Sequence, residues 1–224
     1  MQHATSGDGT PIAFHQVGDG VPVVIIGGAF STAEAGAALA AALAAAGLRG
    51  VTVDRRARGD SGDTAPYLPA REAEDLAAVI NAIGGEAAVI GHSSGAVLAL
   101  FAAAEGVPMK HLFLSEPPFR FGEGEPPADL PERLQALIDE GHADEAVVLF
   151  QREAVGLPDP VIEQIRSSPM FAALVPLAQS TVYDALLTSA VSTPASINLQ
   201  AMSAGSPRCC AGSVTAWQSV AWDA

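Results

Sequence analysis

The sequence predicts an α/β fold built on a mostly parallel sheet. Three observations carry that expectation. Short, continuous apolar runs such as "VPVVII" (Val21–Ile26) read as strands covered on both faces. Helix-like stretches separate them in regular alternation through residue 118. The connections are short, which implies right-handed crossovers that place helices on both faces.

Taken in order, "PIAFHQV" is a short strand and "VPVVII" a buried one. "GGAFSTAEAGAALAAALAAAG" is a turn and a helix that stops at Gly47, and "GVTVD" (Gly50–Asp54) is the next strand. "RRARGDSGDTAPY" is a loop rich in Gly, Asp and Arg; in it Asp54 and Asp60 read as loop-structuring, through backbone bonds and Arg56 or Arg58. "PAREAEDLAAVINAIGG" is a helix closed by a glycine pair suited to a left-handed C-cap. "EAAVIG", "SGAVLALFAAAEG" and "KHLFLSE" (Lys110–Glu116) follow as strand, helix and strand. Residues 1–118 therefore form the α/β core.

Residues 119–185 contain only helical patterns, and their size suits a cap. "ADLPERLQALIDEG" opens with Asp129 and carries Glu132 three residues on, the spacing of a capping box. "HADEAVVLFQREAVG" sets Ala146, Leu149, Phe150 and Glu153 at helical spacing, and two further stretches are broken by Pro. Residues 186–224 form an atypical tail. Arg208 and Asp223 are its charged residues, and it holds both Cys and both Trp of the chain.

Composition narrows the function. The 224 residues carry a formal net charge of −14 with 11 Lys and Arg, which argues against a nucleic-acid surface or an anionic membrane. No signal peptide is evident, and apolar stretches are interrupted by Gly, Pro or charge. A cytoplasmic location is the default expectation. Cys209 and Cys210 are adjacent, which suits neither a disulfide framework nor metal spacing. No metal or organic cofactor is expected, and the expected partner is a small-molecule substrate.

One stretch carries chemistry. Gly91-His92-Ser93-Ser94-Gly95 fits G-x-S-x-G between a strand and a helix. Such a turn lifts the Ser93 hydroxyl above the sheet, and glycines at 91 and 95 let strand and helix approach closely. The Ser94 N–H at the helix start faces the side where an oxyanion develops. The bland alternative is a helix N-cap flanked by glycines. Gly27-Gly28-Ala29-Phe30 follows "VPVVII" and offers a second oxyanion donor, Ala29 first and Phe30 second; a simple glycine turn is the other reading.

With these residues the chain resembles the α/β-hydrolase superfamily over about residues 10–185, most closely its small bacterial members with a helical cap. "VDRRARGDSGD" (Val53–Asp63) is similar to that family's Asp-x-Arg-Gly-x-Gly-x-Ser loop in expanded form, "GHSSGA" to its elbow, and "LSEPPF" (Leu114–Phe119) to the end of its sixth strand. The resemblance implies a serine hydrolase acting on an ester or related acyl compound, with Ser93 as nucleophile. It offers Glu116 as the triad acid, since some members use a Glu after the sixth strand; an ordinary strand-end carboxylate is the alternative. The family's basic histidine comes last in the chain, but here no histidine follows His142. His3, His15, His92, His111 and His142 are all poorly placed. The tail "SAGSPRCCAGSV" stands where the seventh strand belongs, as if the reading frame changed or the end were lost. Incomplete C-terminal strands would leave "HLFLS" (His111–Ser115) as an open edge, inviting self-association unless the tail, for instance "GSVTAWQSVAWDA", drapes over it. A catalytically silent protein that keeps a small-molecule pocket is the alternative function.

Overall fold

The computed structural model describes residues 1–122, 124–192 and the backbone of 208–209. Among these residues, seven strands form one sheet in the order β1-β2-β4-β3-β5-β6-β7: β1 Gln2–Thr5, β2 Pro11–Val17, β3 Pro22–Ile26, β4 Arg49–Val53, β5 Ala87–His92, β6 Met109–Ser115 and β7 Arg208–Cys209. β1, β2 and β4 pair antiparallel; from β4 through β3, β5, β6 and β7 the sheet is parallel. The β–α alternation of the sequence thus yields the expected α/β-hydrolase architecture.

The strand pattern sorts residues by face. Val24, Ile26, Val51, Val53, Val89 and Leu112 join one apolar core with residues of α2 (Pro69–Ala82) and α3 (Ser94–Ala104). The opposite face of β4 takes α1 (Ala37–Ala45). A Cβ on Gly50 would lie 2.5 Å from Ala40 Cα, so a bare backbone on the strand and alanine on the helix allow contact that larger residues forbid.

Among the described residues, five α-helices follow β6: α4 Leu130–Asp139, α5 Ala143–Glu153, α6 Asp159–Arg166, α7 Pro169–Leu174 and α8 Ala178–Val191. α4, α5 and α8 build a second apolar cluster around Leu130, Leu134, Val147, Phe150 and Val182, against which Ala29, Phe30 and Ala57 pack. α8 belongs to both clusters, because Leu187 and Val191 reach the main core. It runs across position 185. The stretch Pro169–Val191 is long and apolar enough to cross a membrane, but half of its most apolar window is buried in the fold, and it contains Pro176 and Asp184.

Several local expectations need correction. β1 is not among the strands the sequence predicts: of its residues "QHAT" Ala4 alone is apolar and joins the core, and pairing with β2 across the turn at Ser6–Thr10 makes the rest a strand. No capping box forms at α4. The Asp129 side chain caps nothing and instead lies 3.7 Å from Arg133. At the tail, Arg208–Cys209 makes a two-residue parallel pairing with His111–Leu112, where free N–H and C=O groups of the β6 edge offer a template, in keeping with an incomplete seventh strand. The segment "GSVTAWQSVAWDA" lies outside the described residues.

Gly91 and Gly95 make the strand-to-helix junction possible. A Cβ on Gly91 would sit 2.5 Å from Gly95 O and 2.6 Å from Ala96 Cα; one on Gly95 would sit 2.5 Å from both Ile26 O and Gly27 O. These obstacles are backbone and cannot swing aside. Gly91→Ala and Gly95→Ala are each expected to destabilise the fold by about 1–3 kcal/mol or more through overpacking. Chemical denaturation checks this; wild-type midpoints in both variants would contradict the packing described.

Candidate active site

β5 and α3 meet at Ser93. Its φ of 53° and ψ of −125° are left-handed and costly for a residue with a Cβ, and the residue is half-buried at the turn rather than inside the helix. Its N–H donates to Ser115 O at 2.9 Å, which ties the turn to the end of β6. Glu116 follows there with a φ of 49°, exposed and next to the turn. Strand pairing thus brings Ser93 and Glu116 to one edge of the sheet.

Ala29 arrives from β3. A Cβ on Gly28 would lie 2.7 Å from Ser93 Cβ and 3.2 Å from Ser93 Oγ, so this loop lies directly against the serine. Among the described residues the amides of Ala29 and Ser94 donate no hydrogen bond. Phe30 (φ 58°) turns its ring edge-on to Phe150, centroids 5.5 Å apart.

The imidazoles are elsewhere. His92 faces out and meets Ser115 Oγ at 3.3 Å; His3 reaches Asp60 O at 3.4 Å. His142 stands exposed at the N-terminus of α5 without capping it, and His15 and His111 lie within β2 and β6. Among the described residues no imidazole is hydrogen-bonded to Ser93 Oγ.

Beneath the elbow lies a charge network that the sequence reading missed. Arg55 Nε and Nη2 donate to the two oxygens of Glu72 at 2.6 and 2.7 Å. Arg55 Nη1 donates to Asp184 Oδ1 at 2.8 Å and to Ser94 Oγ at 3.1 Å. Arg58 Nη2 donates to Asp184 Oδ2 at 2.7 Å, and its Nη1 donates to Gly28 O at 2.5 Å. All four charged side chains are at most 3% exposed. Tyr67 adds a hydrogen bond from its hydroxyl to Glu72 and stacks on Tyr183, centroids 4.1 Å apart. The loop arginines were legible as loop residues, but their partners on α2 and α8 are remote in sequence and became visible only in the fold.

The other loop residues divide their work differently from expectation. Asp54 does structure the loop through backbone bonds, accepting the N–H of Ala33 at 2.6 Å and of Asp60 at 3.1 Å. Arg56 pairs with Asp75 and Asp8, not with Asp54. Asp8 illustrates the balance of effects. Burial pushes its carboxyl up, but hydrogen bonds from Thr10 and Arg56 win and hold it at about 2.

The same contest decides the central network. Burial raises the Asp184 and Glu72 carboxyls, and the arginines more than offset this, holding both below the usual carboxylate range. Arg58 is pushed down by burial and by its neighbour Arg55, which makes Asp184 the counterion both guanidiniums share. Exposed pairs such as Lys110–Glu86 contribute about 0–1 kcal/mol; removing one partner of a buried pair costs about 3–5 kcal/mol.

Because folding lowers these carboxyl pKa values, their stabilisation is complete above the unfolded value of about 4 and is lost as pH falls below it. Asp184→Asn is expected to cost about 3–5 kcal/mol at neutral pH and to melt with a shallower acid dependence than wild type. Thermal melts across the acid range check this; parallel curves would contradict it.

Comparison with known proteins agrees with this fold. The profile of the "Alpha/beta hydrolase family" matches residues 23–219. The chain is 42% identical to an alpha/beta hydrolase from Sphaerobacter thermophilus, with a TM-score of 0.83, covering 93% of this chain and 80% of that one. An esterase from Thermogutta terrifontis shares the fold at 22% identity, with a TM-score of 0.60 and coverage of 93% and 87%. Another from Exiguobacterium antarcticum does so at 19% identity, with a TM-score of 0.59 and coverage of 83% and 73%. No curated protein matches the sequence. With a matching profile across most of its length and one structural relative well above 30% identity, the chain belongs to the alpha/beta hydrolase family.

Proposed function

We propose that the chain is a serine hydrolase acting on a small-molecule ester or related acyl compound. The observation that carries this reading is the left-handed Ser93 at the β5–α3 junction, held against Gly28 with two undonated amides on adjoining segments. Ser93 Oγ attacks the acyl carbon as its proton passes to a water molecule, which returns a proton to the leaving alcohol. The carbonyl oxygen becomes an oxyanion, which the Ser94 and Ala29 amides receive. Collapse expels the alcohol, which takes a proton, and leaves an acyl-enzyme for water to hydrolyse. Glu116, the residue that follows β6, is the acid in this reading.

The base is the weak point of the site. Among the described residues no imidazole makes a hydrogen bond to Ser93 Oγ. That observation favours a second reading, a catalytically silent protein that retains a small-molecule pocket.

Hydrolysis of a short-chain p-nitrophenyl ester by wild type and by Ser93→Ala separates the two. Loss of a triad base costs several orders of magnitude, while oxyanion donors and binding alone leave ~10³–10⁴ over water. The expected result is slow release that falls further in Ser93→Ala. Identical rates in both proteins favour the silent reading. A fast rate abolished by Ser93→Ala reveals a base, with His142→Ala as the next variant.

A further inference from the structure

We propose that Arg58 and Asp184 are positioning residues that set the oxyanion-binding amides. This rests on the hydrolase reading above for its catalytic consequence, but its geometry stands alone. A trans peptide is planar, so the N–H of Ala29 points opposite to the C=O of Gly28. Arg58 Nη1 holds that carbonyl with a charge-assisted bond at 2.5 Å, aided by the Ser31 amide at 3.3 Å. The Ala29 amide is thereby directed away from Arg58. If this peptide rotates, the carbonyl and amide exchange sides and the donor is lost.

Asp184 fixes the arginine that fixes the peptide. One carboxylate oxygen receives Arg58 at 2.7 Å; the other receives Arg55 at 2.8 Å, and Arg55 also holds Ser94 Oγ at 3.1 Å. A single carboxylate on α8 therefore braces the loop that presents Ala29 and the helix start that presents Ser94. No comparable link joins the Arg56 network to the elbow among the described residues: Arg56 meets Asp8, Asp75 and Arg71 O. The brace also places the two donors under the control of α8, whose preceding turns pack in the helical cluster above the sheet.

The test uses the full chain and two readouts. The first is covalent modification of Ser93 by a p-nitrophenyl alkylphosphonate, followed as p-nitrophenolate release and confirmed by mass. The second is the backbone amide resonance of Ala29. Arg58→Ala and Asp184→Asn are compared with Asp8→Asn as a control, at a temperature where all are folded. Arg58→Lys keeps the charge but not the planar fork, and serves if Arg58→Ala does not fold. The maximal modification rate is expected to fall about 100–1,000-fold, with half-saturation within about twofold of wild type, as for loss of an oxyanion donor. Added guanidinium at millimolar concentration should restore part of the Arg58→Ala rate. The Ala29 amide should shift in the Arg58 and Asp184 variants and not in Asp8→Asn.

An Ala29 resonance that stays in place overturns the proposal whatever the rates do, as does an equal shift in Asp8→Asn. A shifted resonance with an unchanged modification rate overturns it too. If wild-type Ser93 is not modified at all, the hydrolase reading fails, while an Ala29 shift confined to the Arg58 and Asp184 variants still supports the brace.

Discussion

Asp184 joins parts of the molecule that the chain brings together from far apart. It neutralises Arg55 and Arg58, two guanidiniums buried side by side on the loop after β4. Without a shared carboxylate, their repulsion and desolvation would open the loop that lies against the elbow. With it, the network of two cations and two anions is electrically balanced, and most of its hydrogen-bonding capacity is used. Such networks are poor bargains for stability alone, since apolar residues of similar volume often do as well. Here the network determines geometry, because its free ends are a backbone carbonyl and a serine hydroxyl at the candidate site.

Strain accompanies this order. Phe30, Ala57, Ser93 and Glu116 are the non-glycine residues with positive φ among those described, and each follows one of four neighbouring strands, β3, β4, β5 and β6. Each such residue costs about 1–3 kcal/mol unless its surroundings dictate the conformation. The surroundings are visible for three of them. Phe30 is held against Phe150, Ala57 donates its N–H to Gly62 O at 3.1 Å, and Ser93 donates to Ser115 O. The carboxyl edge of the sheet is thus a row of constrained turns, where an open α/β sheet presents its ligand.

Much of this was legible in the sequence because it depends on local patterns. The buried runs "VPVVII" and "EAAVIG" specify strands, and Gly91 and Gly95 specify a junction at which no side chain fits. Ser93 falls at that junction because the motif is contiguous. Arg55, Arg58, Glu72 and Asp184 were not read as a unit, since their pairing spans as many as 129 positions and only packing of α8 brings them together. Their charges sit in stretches that look solvent-facing by composition. Strand β1 is not legible for a related reason: apart from Ala4 its residues are polar, and it exists by borrowing hydrogen bonds from the edge of β2.

In the proposed hydrolase, Ser93 and the two amides act on one substrate group, the serine on its carbon and the amides on its oxygen. The direct measurement is a crystal structure of the protein after treatment with an alkylphosphonate. The account predicts phosphorus bonded to Ser93 Oγ, with one phosphoryl oxygen about 2.7–3.1 Å from the nitrogens of both Ala29 and Ser94. An adduct whose phosphoryl oxygen faces away from these amides, or modification at another residue with Ser93 untouched, would contradict it.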